Sequence, residues 1–266
     1  MRQKKVLQRM LRLAMSMTAA VALAGCAVAS TPAKEAAESA VNLRVVQEQV
    51  QPALRLARAS RAAGDLASAV NLYRTVLAAY PGDGPLTVEF GDVMLEAGAF
   101  DEAIDAYDKV KDADPARLGA LLGLSRVQLA LGEPEKALAF SELARTKAPS
   151  DTRVLLRRGV ALDMLGRHAE AQGSYNVVLA ADPRNVAARN DLALSFAIGG
   201  HFTEAIDILT PMAKSSTASP RTRQNLALVY GLMGDNTRAA EFGRADLAKA
   251  QVESNLRFFD YARETR

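Results

Sequence analysis

Small and apolar residues recur along this chain with a period of 34 residues, from about residue 50 to residue 250. Glycine returns at one fixed position of the period, and alanine follows it five residues later, six times in succession. The glycines are Gly64, Gly98, Gly132, Gly166, Gly200 and Gly234, and the alanines are Ala69, Ala103, Ala137, Ala171, Ala205 and Ala239. Chance would not hold two residue types in register over six periods, so the chain contains six copies of one structural unit.

Each copy predicts a helix, a tight turn and a second helix. The glycine ends the first helix, because the turn there commonly needs a positive φ and glycine has no Cβ to clash. The alanine lies early in the second helix, where a small side chain lets the two helix backbones approach. Proline then closes four of the periods, as expected where a second helix stops. These prolines are Pro81, Pro115, Pro149 and Pro183.

Larger side chains fill the other repeated positions. The second helix carries Tyr73, Tyr107, Tyr175 and Leu209 four residues after the alanine, whereas Ser141 and Gly243 replace this residue in the third and sixth copies. One hairpin cannot bury its apolar face alone, so we predict an all-α solenoid of six stacked helix-turn-helix repeats over residues 50–250. Thr217 stands where the fifth copy should have proline, so we expect a longer fifth link, from Lys214 to Pro220.

A further helix is predicted after the last repeat. Val252, Leu256 and Phe259 recur at the i, i+4, i+7 spacing of one helix face, and Phe258 and Tyr261 widen that face. We interpret residues 251–264 within the segment 251–266 as a helix that caps the solenoid, with a partner-binding tail as the alternative.

The first 25 residues have the composition of an export signal. Five basic residues and no acid precede an apolar run from Leu13 to Gly25, and small residues follow. That run is too short for a membrane-spanning helix, which needs about 20 residues. We therefore predict a secretory signal at residues 1–25.

Leu23-Ala24-Gly25-Cys26 resembles a bacterial lipobox, and Cys26 is the only cysteine of the chain. We predict that Cys26 becomes the first residue after cleavage and carries a covalent diacylglycerol and an N-acyl lipid. One acyl chain anchors a protein only marginally, but two or three suffice. Ala27 in place of aspartate favours the outer membrane over inner-membrane retention. Residues 26–49 then form a lipidated start, a small polar tether and a short leading helix.

Removal of the signal changes the charge balance. The chain has 33 basic and 30 acidic residues, and five of the basic ones lie in the signal, which leaves 28 basic residues against 30 acidic ones. The remaining net charge of −2 gives no support to nucleic acid as a partner.

Catalytic and metal-binding patterns are missing from the sequence. Its two histidines, His168 and His201, both follow inter-helix turns and have no clustered cysteine or histidine partner. No serine stands in a context that would activate it, and Gly199-Gly200 lacks the rest of a phosphate-binding loop. We predict a non-enzyme that needs no cofactor or metal.

The repeated residues resemble the tetratricopeptide repeat (TPR) family, whose 34-residue unit carries large-small, Gly, Ala, aromatic and Pro at these offsets. That resemblance implies that the first helix of each repeat lines the concave side of a superhelix. The outward positions there predict a partner-binding groove that is basic at its entrance and apolar from the third repeat onward. Its residues are Arg58, Arg61, Leu122, Arg126, Arg153, Leu156, Val160, Met164, Asn190, Leu194, Ile198 and Leu228, with Asp92 among them.

TPR domains that clamp a C-terminal carboxylate use paired lysines and asparagines across consecutive repeats. Arg153 and Arg157 match only the last part of that arrangement, because Val88, Asp92 and Gly123 stand at the other positions. We therefore do not expect that mode of binding.

Three C-terminal stretches, Arg223–Leu232, Arg244–Leu247 and Asn255–Arg263, resemble the TadD family, the TPR lipoproteins of the tight-adherence (Flp) pilus machine. The resemblance implies an outer-membrane lipoprotein that faces the periplasm and acts as a scaffold or pilotin-like factor in pilus assembly and secretion. Its partner would be the Tad outer-membrane secretin or a neighbouring pilus component, and its only membrane contact would be the lipid.

Other functions remain open on the sequence. Among scaffolds, the alternatives are a type IVa pilotin, a β-barrel assembly lipoprotein and a murein-synthesis organiser of similar build. A cell-wall hydrolase or its accessory subunit is a further alternative, and it would require a catalytic cleft.

Overall fold

The computed structural model describes residues 50–265, and within this range it is helical with no strand. The predicted signal at 1–25, Cys26 and the rest of segment 26–49 lie outside the described residues. Thirteen helices follow one another in the described range. They are α1 (50–62), α2 (Leu66–Ala79), α3 (Gly84–Glu96), α4 (Phe100–Asp108), α5 (Arg117–Ala130), α6 (Pro134–Lys147), α7 (Thr152–Met164), α8 (His168–Ala181), α9 (Val186–Ile198), α10 (Phe202–Ala213), α11 (Pro220–Met233), α12 (Asn236–Gly243) and α13 (Lys249–Glu264).

The first twelve helices form six antiparallel hairpins, and the predicted solenoid is confirmed. Each second helix packs between the first helix of its own hairpin and the first helix of the next one. From α3 onward, successive first helices also contact each other directly. The inner face of the stack is therefore formed by the odd-numbered helices α1 to α11. None of the helices in the described range is long and apolar enough to cross a bilayer.

The six repeated glycines have the conformation that the period predicts. Their φ angles run from +72° at Gly166 to +100° at Gly234. At Gly132 the backbone N–H of Glu133 donates to the carbonyl of Gln128 at 2.8 Å, and that of Gly132 donates to Leu129 at 3.2 Å. This pair of bonds satisfies carbonyls that the end of α5 would otherwise leave open.

The large aromatic residues of the second helices pack between neighbouring first helices. Tyr107 is fully buried, and a Cβ at Gly91 of α3 would come within 2.6 Å of its ring. A Cβ at Gly123 of α5 would overlap the same ring. The glycines of α3 and α5 thus make room for Tyr107, whose hydroxyl reaches the inner face.

The junction between the second and third hairpins departs from the period. Four first helices, α3, α7, α9 and α11, begin with a side-chain cap, provided by Asp83, Asp151, Asn185 and Ser219. These capping residues are spaced by 34 residues, except for one gap of 68. The missing member of this series is position 117, which is arginine, and α5 begins without a side-chain cap. The preceding helix α4 ends early, at Asp108, so residues 109–116 form a long link that the sequence reading missed.

The longer fifth link is confirmed. Helix α10 contains Pro211 and ends at Ala213, and α11 begins at Pro220. Because proline has no backbone N–H, Pro211 removes one hydrogen bond from the last turns of α10.

Helix α13 packs against α11 and α12. Val252 and Phe259 are buried on its inner side, and the ring of Phe259 occupies the space that a Cβ at Gly231 would need. Its outer side leaves Phe258 and Tyr261 exposed. The helix covers apolar surface of the last hairpin and still offers two aromatic side chains to solvent.

Candidate functional site

Apart from Asp92 on α3, the twelve predicted groove residues lie on the first helices α1, α5, α7, α9 and α11; these helices and α3 form the inner face. The face divides into a charged part on α1, α3 and α5 and an apolar part on α7, α9 and α11. Two of the twelve residues are not on the open surface, as described below.

In the charged part, carboxylates of α3 pair with arginines of α1. Arg58 binds Glu89 through two bonds of 2.9 and 2.6 Å, and Arg61 binds Glu96 through two bonds of the same lengths. Asp92 bonds Arg126 of α5 at 2.8 Å. The predicted basic entrance is therefore wrong, because α3 supplies acids that neutralise these arginines.

The tyrosines of the second helices join this network. Tyr73 donates its hydroxyl to Glu89 at 2.8 Å, and Tyr107 donates to Asp92 at 2.8 Å. Burial, followed by the bond to Glu89, raises the pKa of Tyr73 to about 12. Burial alone would raise the pKa of Glu89, but the bonds from Arg58 and Tyr73 outweigh it and lower that pKa. Tyr73 and Tyr107, whose pKa values are raised, stay protonated, and Glu89, whose pKa is lowered, stays ionised near neutral pH.

The apolar part is a strip of side chains on three successive first helices. Met164 is 48% exposed and Ile198 is 49% exposed, and Val160, Leu194 and Leu228 are half-buried beside them. We call these five residues the apolar strip. Leu156 is half-buried and packs against core side chains of α7, α8 and α9, so it contributes less to the open surface.

Leu122 and Asn190 were predicted in the groove, and the structure places both in the interior. Leu122 is 7% exposed and packs in the cluster of α5, α6 and α7. Asn190 is 1% exposed, donates to the hydroxyl of Thr222 at 3.2 Å and accepts from Asn225 at 2.8 Å. Both share a register position that faces the next first helix, so a neighbouring hairpin covers it.

Arg153 lies at the start of α7 and is turned back to its own cap. It pairs with Asp151 at 2.7 Å and is exposed. The hydrogen bonds from Arg153 lower the pKa of Asp151. Arg153 therefore pairs with the capping residue at the start of α7, and it lies more than one helical turn away from the apolar strip.

Several inner-face groups were missed by the sequence reading. Asp163 accepts hydrogen bonds from Tyr175 at 2.9 Å and from Ser195 at 2.7 Å, and it contacts Nδ1 of His168 at 2.8 Å. Asp191 pairs with Arg221 at 2.8 Å. Polar residues at the register position of Asp191, such as Glu89 and Asn225, were the signal for Asp191. Asp163 had no such signal, because it aligns with Leu129 and Ala197 on the adjacent first helices.

The two histidines take part in packing near their turns. His168 contacts Asp163 as above, and the ring of His201 meets the edge of Phe196 with centroids 6.2 Å apart. In the part of the chain that the structure describes, no group of three or more His, Cys, Asp or Glu side chains could hold a metal ion. The prediction that the chain is not an enzyme stays a prediction.

A cavity of about 750 Å³ lies away from the inner face, between α2, α3 and α4. Leu77, Phe90 and Met94 form apolar parts of its lining. It opens where α4 stops at Asp108, because a regular second helix would continue for another turn. The sequence reading missed this cavity because it assumed six equal repeats.

The repeats of this chain match known protein families. Two family models described as tetratricopeptide repeat match the chain, one at residues 60–117 and 94–159 and the other at residues 156–210. The chain is 29% identical over 174 residues to cellulose synthase 2 operon protein C of Komagataeibacter xylinus, which covers 64% of this chain and 13% of that protein. It is 28% identical over 207 residues to cellulose synthase operon protein C of Pseudomonas fluorescens; this match covers 74% of this chain and 16% of that protein. The chain thus spans less than a fifth of the length of these relatives.

Solved structures show the same fold. A tetratricopeptide repeat protein from Parabacteroides merdae superposes with a TM-score of 0.57 at 18% identity, covering 80% of this chain and 99% of the other. A thermophilic TPR protein from Thermus thermophilus superposes with a TM-score of 0.60 at 23% identity, covering 68% of this chain and 98% of the other. At these identities the likeness concerns the fold alone.

Proposed function

Since the chain belongs to the tetratricopeptide repeat family, whose repeats serve protein–protein interaction, we propose that its inner face holds a segment of a partner protein. The apolar strip is the contact surface in this proposal. The charged part of the inner face, already paired internally, keeps the first three hairpins in register.

One observation carries the proposal: Met164 on α7 and Ile198 on α9 are about half exposed at one register position, and Val160, Leu194 and Leu228 are partly exposed one turn earlier on α7, α9 and α11. Contiguous apolar surface of this kind marks interaction sites in soluble domains. An extended segment or an amphipathic helix could lie along it and bury this surface. Each 100 Å² of apolar surface buried would contribute about 2.5 kcal/mol before the entropic costs of association.

We further propose that the protein is an outer-membrane lipoprotein of the Flp pilus assembly system, with the secretin or a neighbouring pilus component as its partner. The support is the lipobox-like Leu23–Cys26 and the C-terminal sequence over α11 and α13. Much of that sequence serves packing, since Arg223 pairs with Asp246 and Arg263 donates to the carbonyl of Gly231. Lipidated Cys26 would anchor the protein in the outer membrane.

A second candidate is an accessory scaffold in cellulose synthesis. It is favoured by the 28–29% identity to two cellulose synthase operon proteins. Gene neighbourhood separates the two readings. A prepilin peptidase, secretin and Flp pilin nearby support the pilus role, and a cellulose synthase nearby contradicts it.

The experiment is co-purification from solubilised membranes with a matched pair of variants. Met164→Asp and Ile198→Asp place charge on the apolar strip, and Leu143→Asp places it on a second helix, where Leu143 is 51% exposed. We expect the strip variants to lose the captured partner by mass spectrometry while Leu143→Asp retains it and all three keep helical circular dichroism. Equal recovery from strip and control variants would exclude the strip as the contact surface.

A further inference from the structure

The cavity between α2, α3 and α4 marks a position where one repeat lacks a large side chain. At this register position of the second helix, four of the six hairpins carry a large apolar residue, Leu72, Phe140, Ile208 or Phe242. Phe140 is half-buried and packs against two core clusters. The second hairpin has Ala106 instead, and this alanine lines the cavity. The missing side chain and the early end of α4 together leave about 750 Å³ unfilled.

An equivalent groove two repeats later is partly filled by the chain itself. It lies between α6, α7 and α8, and Ser174 holds the position of Ala106 there. Arg158 of α7 reaches into this groove and donates to the hydroxyl of Ser174 at 2.6 Å. At the position of Arg158, α3 carries Phe90, whose ring lines the cavity and makes no such bond. The cavity at α3 therefore keeps an apolar floor that no side chain between residues 50 and 265 fills.

Charged side chains surround the mouth of this cavity. Two acids lie on α4, and three cations lie on α2 and in the link after α4, namely Glu102 and Asp105, and Arg74, Lys109 and Lys111. All five are exposed, and within the described range 50–265 their side chains form no hydrogen bond or ion pair. Asp114, the third acid of the lining, accepts from the backbone N–H of Ala116 at 2.7 Å. A ligand that carries both signs of charge thus meets an opposite charge for each at the mouth.

The outer side of α13 presents a matching set of side chains. Phe258 is 58% exposed and Tyr261 is 63% exposed, and their spacing of three residues places them side by side on the helix. Arg257 and Glu264, seven residues apart, lie beside them on the same side of the helix. Both are exposed and form no ion pair with any residue that the structure describes. This surface combines two aromatic rings with one free cation and one free acid.

We propose that α13 of one copy binds in the cavity of a second copy, with Phe258 in the space that Ala106 leaves open. Phenylalanine is the residue that the repeat itself places at this position in the third and sixth hairpins. Tyr261 packs at the mouth, where Arg257 faces the acids of α4 and Glu264 faces the cations. Each copy has one such cavity and one α13, so the contact joins copies head to tail. This self-assembly goes beyond the proposed scaffold function and does not use the apolar strip.

The test measures self-association of the purified full chain by sedimentation velocity. Single copies are carried in lipid nanodiscs, so that no detergent competes for the cavity. We expect the mass of the native chain to rise with concentration beyond that of a dimer, because a head-to-tail contact leaves one free cavity and one free α13 on every assembly.

Two variants each remove one half of the contact. Ala106→Phe fills the cavity with the side chain of the equivalent positions, and Phe258→Ser removes the ring that enters it. Each variant alone should self-associate at least about tenfold more weakly than the native chain. Mixed in equal amounts, the two should form a dimer that does not grow, because Phe258→Ser keeps its cavity and Ala106→Phe keeps its α13.

Controls separate this contact from general stickiness and from misfolding. Ala139→Phe adds the same side chain at an exposed position of α6 and should leave self-association unchanged. Ala106→Phe should keep or raise the melting temperature, because it fills an existing cavity. If it lowers the melting temperature instead, Asp105→Trp blocks the mouth from an exposed position and replaces it in the same mixture.

A native chain that stays monomeric up to about 200 μM, where a contact of micromolar affinity would be filled, overturns the proposal. So does a mixture of the two variants that fails to associate. Self-association of Ala106→Phe or Asp105→Trp at native strength would mean that α13 pairs with a different surface, such as α13 of the second copy, and rejects the cavity as its site. Partner capture by the apolar strip is scored separately with Met164→Asp, so either function can fail without the other.

Discussion

The ring of Tyr175 fills the space that a side chain at Gly159 would need, and its hydroxyl reaches Asp163 on the inner face. At the scale of single residues, such glycine–aromatic contacts set how closely a first helix approaches its second helix. The period in the sequence revealed the alanines and turn glycines. Gly159 stands two full periods after Gly91, at the small position of the repeat's large-small pair, whereas Gly123 shares its register position with no other glycine, so the period could not reveal it.

Gly159→Ala should therefore destabilise the chain by about 1–3 kcal/mol, because the new methyl group must displace the buried ring. Gly173 in the middle of α8 is the control, since a Cβ there meets nothing within 4 Å. Gly173→Ala should stabilise by up to about 1 kcal/mol through helix propensity. Urea unfolding measures both, and stabilisation by both substitutions would show that Tyr175 does not occupy that space.

The charged part of the inner face predicts a pH dependence. The hydrogen bond from Arg61 lowers the pKa of Glu96 below its ordinary 4.5. A lowered pKa in the folded state means that the stabilisation is present above pH 4.5 and disappears as the pH falls through the folded value. Glu96→Gln should cost about 0.5–1 kcal/mol at pH 7, because the pair is partly exposed, and nothing below both pKa values.

Thermal unfolding across pH 7 to 3 checks this expectation. Glu102→Gln is the control, because Glu102 is exposed and forms no ion pair within residues 50–265. A cost of Glu96→Gln that stays constant at acid pH would mean that the Arg61 pair is not the cause.

At the scale of helices, the sequence predicted the hairpins and their turns because both depend on local residue types. It did not predict that α4 ends at Asp108, nor that α5 begins after a long link and without a side-chain cap. It also placed Leu122 and Asn190 on the open face, since helical register shows which side of a helix a residue occupies but not whether a neighbouring hairpin covers that side.

Helix α13 offers a matched pair of adjacent aromatic residues. Phe259 is 6% exposed against the last hairpin, and Phe258 is 58% exposed. Phe259→Ala should cost about 3–5 kcal/mol and Phe258→Ala less than about 0.5 kcal/mol in chemical unfolding. If both substitutions prove neutral, α13 does not cap the solenoid, and the alternative of a partner-binding tail gains support.

At the scale of the whole molecule, the inner face combines two kinds of surface. Its first half is held together by its own ion pairs, and its second half leaves apolar side chains exposed on successive helices. Ion pairs within the chain hold the first helices α1, α3 and α5 in register without a partner. The apolar strip, in contrast, would bury exposed apolar surface on binding a partner. In the function proposed above, α7, α9 and α11 carry recognition of the partner.

The most direct test is photocrosslinking in living cells, with a photoreactive amino acid at Ile198 on the apolar strip or at Leu143 on a second helix. A partner-binding inner face should give a discrete protein adduct from position 198 and none from position 143. Adducts from position 143 alone, or from both positions in equal yield, would contradict a partner-binding inner face.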